Sequence, residues 1–134
     1  MIIKLSLAAR NAMAQALVTE LGSGASVNFY SGSIPATTGG AITTQVLVAT
    51  CACSSVAGSV SAGALTFGAI SDDVSADALA TINFGRILNG SSAFFMDADA
   101  AVTGGGAYFS FNTTGALVGG LVRVNSAVLN MPNG

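Results

Sequence analysis

Apolar positions follow a helical spacing only near the start of the chain, and alternate with polar ones for most of the rest. Leu5, Ala9, Met13 and Leu17 recur at i+4, and Ala16 and Leu21 widen that stripe. The run from Leu7 to Leu21 is rich in Ala, Leu, Met and Gln, which are good helix formers. Ser6 can cap the N-terminus, and Gly22 stands where a left-handed C-cap falls. The spacing therefore predicts one helix over 6–21, with Arg10 and Glu20 projecting off its apolar face.

After Gly22 the period changes to 2. Residues 26–31 alternate, with Val27 and Phe29 on one side and Asn28 and Tyr30 on the other. Gly32, Pro35, Gly39 and Gly40 mark residues 31–41 as a loop. A strand is predicted at 45–53, with Leu47, Ala49, Cys51 and Cys53 on one face. Residues 54–63 read as a loop or weak edge strand, and 65–70 as a further strand. Residues 71–73 form a turn. A long strand over 78–88 carries Ile82, Phe84 and Leu88 on one face. Asn89-Gly90 then signals a two-residue hairpin turn into 93–97. After Gly104-Gly105-Gly106, residues 107–113 place Phe109 and Phe111 inward and Tyr108, Ser110 and Asn112 outward. A last strand over 121–131 aligns Val122, Val124 and Val128.

Seven or eight short strands with turn signals roughly every ten residues fit a mainly β fold. The expected form is an antiparallel β-sandwich or jelly-roll-like domain with one N-terminal α-helix. The length of 134 residues fits a single domain, 1–134, divided into a segment and helix (1–22) and the β portion (23–134).

Composition changes the picture mainly by what it withholds. The protein has no His and no Trp, and only ten charged residues, against about a quarter of residues in ordinary soluble proteins. The mean hydropathy of +0.70 is high, yet Ala and Gly supply much of it, and no stretch of about 18 apolar residues runs uninterrupted. A membrane partner is not expected. Nucleic acid is not expected either, because Lys4, Arg10, Arg86 and Arg123 are scattered and offer no basic patch. The start of the sequence imitates a signal peptide only weakly, since Arg10 and Asn11 interrupt its apolar run before Ala14-Gln15-Ala16.

Candidate chemistry is sparse. Cys51 and Cys53, two apart on a strand, share a face with Cα atoms roughly 7 Å apart, at the limit a disulfide spans. With no His and no third Cys they make no metal site, and they read as small buried hydrophobes in a reducing compartment. Asp97-Ala98-Asp99 opens like a calcium loop but lacks the later ligands, and reads as a solvated turn. Asp72, Asp73 and Asp77 read as a solubilising loop. Serines have no His base and no G-x-S-x-G setting, and no spacing sets two carboxylates across a cleft. The glycine runs lack G-K-[ST]. No catalytic residue, metal or cofactor is assigned. The most apolar unassigned segments are the two termini: either segment folds into the core or lies on a neighbour's surface, and on the second reading Met1, Ile2, Ile3, Leu129 and Met131 are the candidate protein-interface residues.

Ile3-Lys4-Leu5-Ser6, followed by Ala8-Ala9-Arg10-Asn11-Ala12-Met13, resembles the opening of a group of small tailed-bacteriophage virion proteins. Tyr30-Ser31-Gly32-Ser33-Ile34-Pro35-Ala36 resembles that group's loop after the first strand. Ala80-Thr81 to Arg86-Ile87, then Met96-Asp97, is similar in order. Where the group has Trp-Phe-Arg, this sequence has Asn83-Phe84-Gly85-Arg86, and Gly85 suggests a bulge. The resemblance implies a capsid cement, or decoration, protein with a jelly-roll-like sandwich. Its expected partners are the major capsid protein and other copies of itself, as a dimer or trimer. The expected location is the outer surface of the virion capsid, after assembly in the host cytoplasm. The alternative is a receptor- or glycan-binding module of a phage tail or fibre. A third reading, a secreted sandwich, would show cleavage near Ala16.

Overall fold

The computed structural model describes residues 3–132. The protein is mainly β with one helix, α1 (Leu7–Leu21), followed by strands β1 (Ser26–Ser31), β2 (Val46–Ala52), β3 (Gly58–Ser61), β4 (Ala64–Phe67), β5 (Ala80–Thr81), β6 (Phe84–Leu88), β7 (Phe94–Val102), β8 (Phe109–Phe111), β9 (Gly115–Ala116) and β10 (Val124–Asn130). Eight strands form a curled sheet in the order β2-β1-β6-β7-β8-β10-β4-β3, and β5 pairs with β9 separately. Long β7 and β10 make the curl. The first half of β7 pairs with β6 and its end with β8, while β10 pairs first with β8 and then with β4. An isolated bridge between Cys53 and Ile70 brings the segment beyond β4 back to the segment beyond β2.

One pairing departs from the expected antiparallel pattern: β7 and β8 run parallel. Parallel neighbours usually need a long crossover. Here residues 103–108 suffice, because Gly104 (φ 90°) and Gly106 (φ 77°) reverse the backbone tightly.

α1 begins and ends as the sequence predicts. Ser6 Oγ accepts the Ala9 N–H at 3.1 Å, and the Gly22 N–H reaches the Val18 carbonyl at 3.2 Å. Its packed face is different from the expected one. Ala14 and Leu21 are buried with Leu17 and Val18 against them, while Met13 is exposed. Alanine on every side leaves the pattern with little directional contrast, and the β3–β4 turn selects the face. There Asn11 Oδ1 accepts the Gly63 N–H at 2.8 Å. A Cβ at Gly63 would lie 2.6 Å from an Arg10 guanidinium nitrogen. Arg10 thus lies on the packed side rather than off it.

Inside the curl, Phe29 meets Phe109 and Phe111 edge-on, each with centroids 5.1 Å apart. Gly85 makes room for them: a Cβ there would sit 2.7 Å from Phe109 and 2.8 Å from Phe29. No bulge forms at Gly85, which pairs regularly with Phe29 and Ala98. A register shift between Phe29 and Tyr30 occurs instead. It leaves both Val48 and Ala49 buried and breaks the alternation expected for 45–53. A second shift, between Val124 and Ser126, buries Ala127 and turns Val128 outward.

The segment at 54–63, expected as a loop or weak edge strand, holds edge strand β3. Three further segments differ from expectation. The long strand expected over 78–88 is split into β5 and β6. Asn83, in the break, donates its backbone N–H to the Tyr30 carbonyl at 2.9 Å and accepts the Gly32 N–H on Oδ1 at 2.9 Å. The hairpin after β6 is wider than two residues, with Leu88 opposite Phe94 and Ser92 in the left-handed region at φ 62°. Asp97-Ala98-Asp99 is the middle of β7, not a turn. Asp97 pairs there with buried Arg86 at 2.8 Å, and Asp99 Oδ1 accepts the Tyr108 N–H at 2.8 Å.

Candidate interaction surface

Two loops interlock at one end of the molecule. The Asp73 N–H donates to the Val122 carbonyl at 3.0 Å, and the Val122 N–H returns to the Asp73 carbonyl at 2.7 Å. The Ala76 N–H reaches the Gly120 carbonyl at 2.9 Å, and the Gly119 N–H reaches the Ala76 carbonyl at 2.8 Å. Gly119 has φ 76°, a conformation that favours glycine. The β5–β9 pairing closes the far side, with Ala80 opposite Ala116.

The same loop seals the edge of β2. Asp73 Oδ2 accepts the Thr50 N–H at 2.8 Å, Asp73 Oδ1 accepts the Ser75 N–H at 2.9 Å, and the Asp77 N–H donates to the Val48 carbonyl at 2.8 Å. Asp73 is therefore a scaffold group, not a solubilising one. Its carboxylate supplies acceptors that a bare strand edge lacks.

On this tied scaffold stand five aliphatic side chains. Val74 is 75% exposed, Leu79 71%, Leu117 69%, Val118 70% and Leu121 57%. Leu79 and Leu117 adjoin the paired Ala80 and Ala116 in sequence, and Val74 and Leu121 adjoin the bridged Asp73 and Val122. At the margin Arg123 and Asp72 form an ion pair at 2.6 Å, and the guanidinium holds the Asp72 carboxyl below its ordinary range. A cavity of about 180 Å³ beside Leu121 is lined by Ile82, Asn112, Ala116 and Arg123.

The residues expected at an interface from sequence scatter. Met1 and Ile2 lie outside the described residues. Ile3 is exposed. Leu129 is half-buried against the core, and Met131 is buried. Met131 is a core residue because its N–H donates to the Gly63 carbonyl at 2.8 Å, drawing this segment under the β3–β4 turn. The aliphatic end was missed. Its signal was Leu117-Val118 and Leu121 around Gly119-Gly120, an apolar run within turn residues, and Val74 and Leu79 among aspartates.

A second surface lies under the 34–38 loop. A groove of about 290 Å³ there is walled by Ile34 and Pro35 and floored by Phe94, Phe95 and Met96. Behind it the Arg86 guanidinium sits 5.1 Å over the Phe94 ring.

Burial pushes the thiols of Cys51 and Cys53 up to about 11, so both stay protonated at neutral pH. Tyr108, expected outward, has a buried hydroxyl without a partner, and burial raises its pKa. Its ring lies edge-on to Phe67 and Phe109. Among the described residues no three His, Cys, Asp or Glu side chains cluster as a metal site would need. No helix of these residues is long and apolar enough to cross a membrane. Comparison with family models, with curated proteins and with solved structures finds no match to this protein.

Proposed function

We propose that this protein is a structural virion component, a capsid cement protein that binds the outside of a tailed-bacteriophage head and reinforces it by bridging major capsid proteins. The observation that carries the reading is the aliphatic end: Val74, Leu79, Leu117, Val118 and Leu121, exposed on loops whose backbones are already paired. Several exposed apolar groups gathered on one ordered scaffold suit a protein partner. The resemblance of 3–13, 30–36, 80–87 and 96–97 to phage virion proteins supplies the kind of partner. The reading takes the curled sheet as a jelly-roll-like form of the β-sandwich.

Magnitudes shape the mechanism. Full burial of a Val or Leu side chain contributes about 1.5–3 kcal/mol, so five that are roughly two-thirds exposed offer about 5–10 kcal/mol gross. Losing translational and rotational freedom costs about 4–15 kcal/mol. One such end holds one copy weakly. Joined copies on a symmetric shell hold through avidity, which favours a dimer or trimer with matching symmetry. With the Asp72–Arg123 pair neutralised at the margin, attachment depends little on salt.

The test is sedimentation of purified protein with heads assembled without it, across low and high salt. Binding at a stoichiometry near that of the shell protein, retained at high salt, supports the reading. Retention on host envelopes with no binding to heads overturns it in favour of a tail receptor- or glycan-binding module.

A further inference from the structure

We infer that Asn89 is a deamidation site held closed by the docked C-terminus of α1. In an Asn-Gly pair the following amide nitrogen reaches the carbonyl of the asparagine side chain easily, because glycine brings no Cβ to block the approach. The Gly90 nitrogen bonds to Asn89 Cγ, the bond between Cγ and Nδ2 breaks, and ammonia leaves with the proton lost from Gly90. Water then opens the succinimide ring at either carbonyl and leaves Asp or isoaspartate at position 89. Water enters and ammonia departs, with no oxidant or cofactor.

The fold prepares one half of this reaction and withholds the other. Asn89 Oδ1 accepts two backbone N–H groups, from Ser91 at 3.0 Å and from Ala93 at 3.0 Å. These donors polarise the Cγ carbonyl and would stabilise the oxyanion formed on attack. The nucleophile is occupied: the Gly90 N–H donates to the Leu21 carbonyl, in the last turn of α1, at 2.8 Å. A committed N–H is harder to deprotonate, and the nitrogen is tied to the helix. Packing adds to the restraint, since a Cβ at Gly90 would collide with the Ser23 carbonyl oxygen. Release of the α1 C-terminus therefore frees a nucleophile beside an activated carbonyl.

The event is one-way. Isoaspartate routes the backbone through an extra methylene at the base of the β6–β7 hairpin and shifts Gly90 away from Leu21. The Leu21 carbonyl then has no Gly90 N–H to return to.

Peptide mass mapping over time reads the rate at Asn89 directly, as conversion of the Asn-Gly peptide to its Asp and isoaspartate forms. The folded protein is expected to convert about tenfold more slowly, or slower still, than the same protein in urea. Two variants loosen the helix: Leu21→Ala by deleting a buried side chain at its docked end, and Ala14→Asp by placing a charge on its buried face. Both are expected to raise the Asn89 rate several-fold while hydrogen exchange shows β1 and β6 still protected. Equal rates in the folded and urea-unfolded wild type would overturn the inference. So would an unchanged Asn89 rate in Leu21→Ala with α1 amides exchanging faster.

Discussion

The centre of the sheet and the end formed by residues 71–79 and 115–123 use the same kinds of side chain for opposite purposes. At the centre, β6 is buried along almost its whole length, and Phe29, Phe109 and Phe111 interlock over Gly85. At the end, backbone groups are tied by hydrogen bonds across the two loops, yet five aliphatic side chains point to solvent. Folding explains the first arrangement. It does not explain the second, because the end's order comes from Asp73, Gly119 and backbone hydrogen bonds rather than from those side chains. Apolar surface that the fold holds in place without using is what an interface requires.

Substitutions should separate the two regions. The largest expected effect is Phe29→Ala, which empties the aromatic cluster and costs about 3–5 kcal/mol in chemical denaturation, with attachment of the surviving folded fraction unchanged. Arg86→Ala is comparable, at about 3–5 kcal/mol, because it leaves the buried Asp97 carboxylate on β7 without its partner. Gly85→Ala forces a methyl against two rings and costs about 1–3 kcal/mol. By contrast, the double variant Leu117→Ser with Val118→Ser leaves Tm within a few degrees of wild type, since surface changes stay within about 0.5 kcal/mol. It should nonetheless abolish binding of an apolar-surface dye at that end. A large Tm loss in the double variant would break the comparison, since these side chains would then belong to the core.

Smallest of all is the response to pH. With no His in the sequence, no side chain of ordinary pKa titrates between about pH 5 and 8, and stability should be nearly flat there. Cys51 and Cys53 hold their protons more tightly folded than unfolded, since burial raises both from 9.0 to about 11. Their contribution is therefore complete below pH 9.0 and lost as pH climbs toward about 11. Denaturation midpoints that fall between neutral pH and about 8 would contradict this.

Much of the fold was legible because local signals and tertiary packing agree. Ser6 and Gly22 delimit α1, and alternation around Val27, Phe29, Phe109 and Phe111 marks the inward faces. Elsewhere non-local pairing decides. The offset at Phe29/Tyr30 exists only opposite β2, so nothing within 26–31 announces that Tyr30 is buried. The face of α1 is chosen by Gly63, which lies 52 positions beyond Asn11 in sequence. Asp97 reads as a turn residue until Arg86 is placed beside it across the β6–β7 pair. The aliphatic end was illegible for the same reason: its two halves are separate loops, brought together only by non-local links such as the Asp73–Val122 bridge, the Ala76–Gly120 hydrogen bond and the β5–β9 pair.

Sedimentation of the Leu117→Ser, Val118→Ser, Leu121→Ser triple variant with heads assembled without the protein tests the central claim most directly. The account predicts a folded protein, with the wild-type denaturation midpoint, that stays in the supernatant while wild type pellets with the heads. A triple variant that pellets as well as wild type would contradict it, because the aliphatic end would then play no part in attachment.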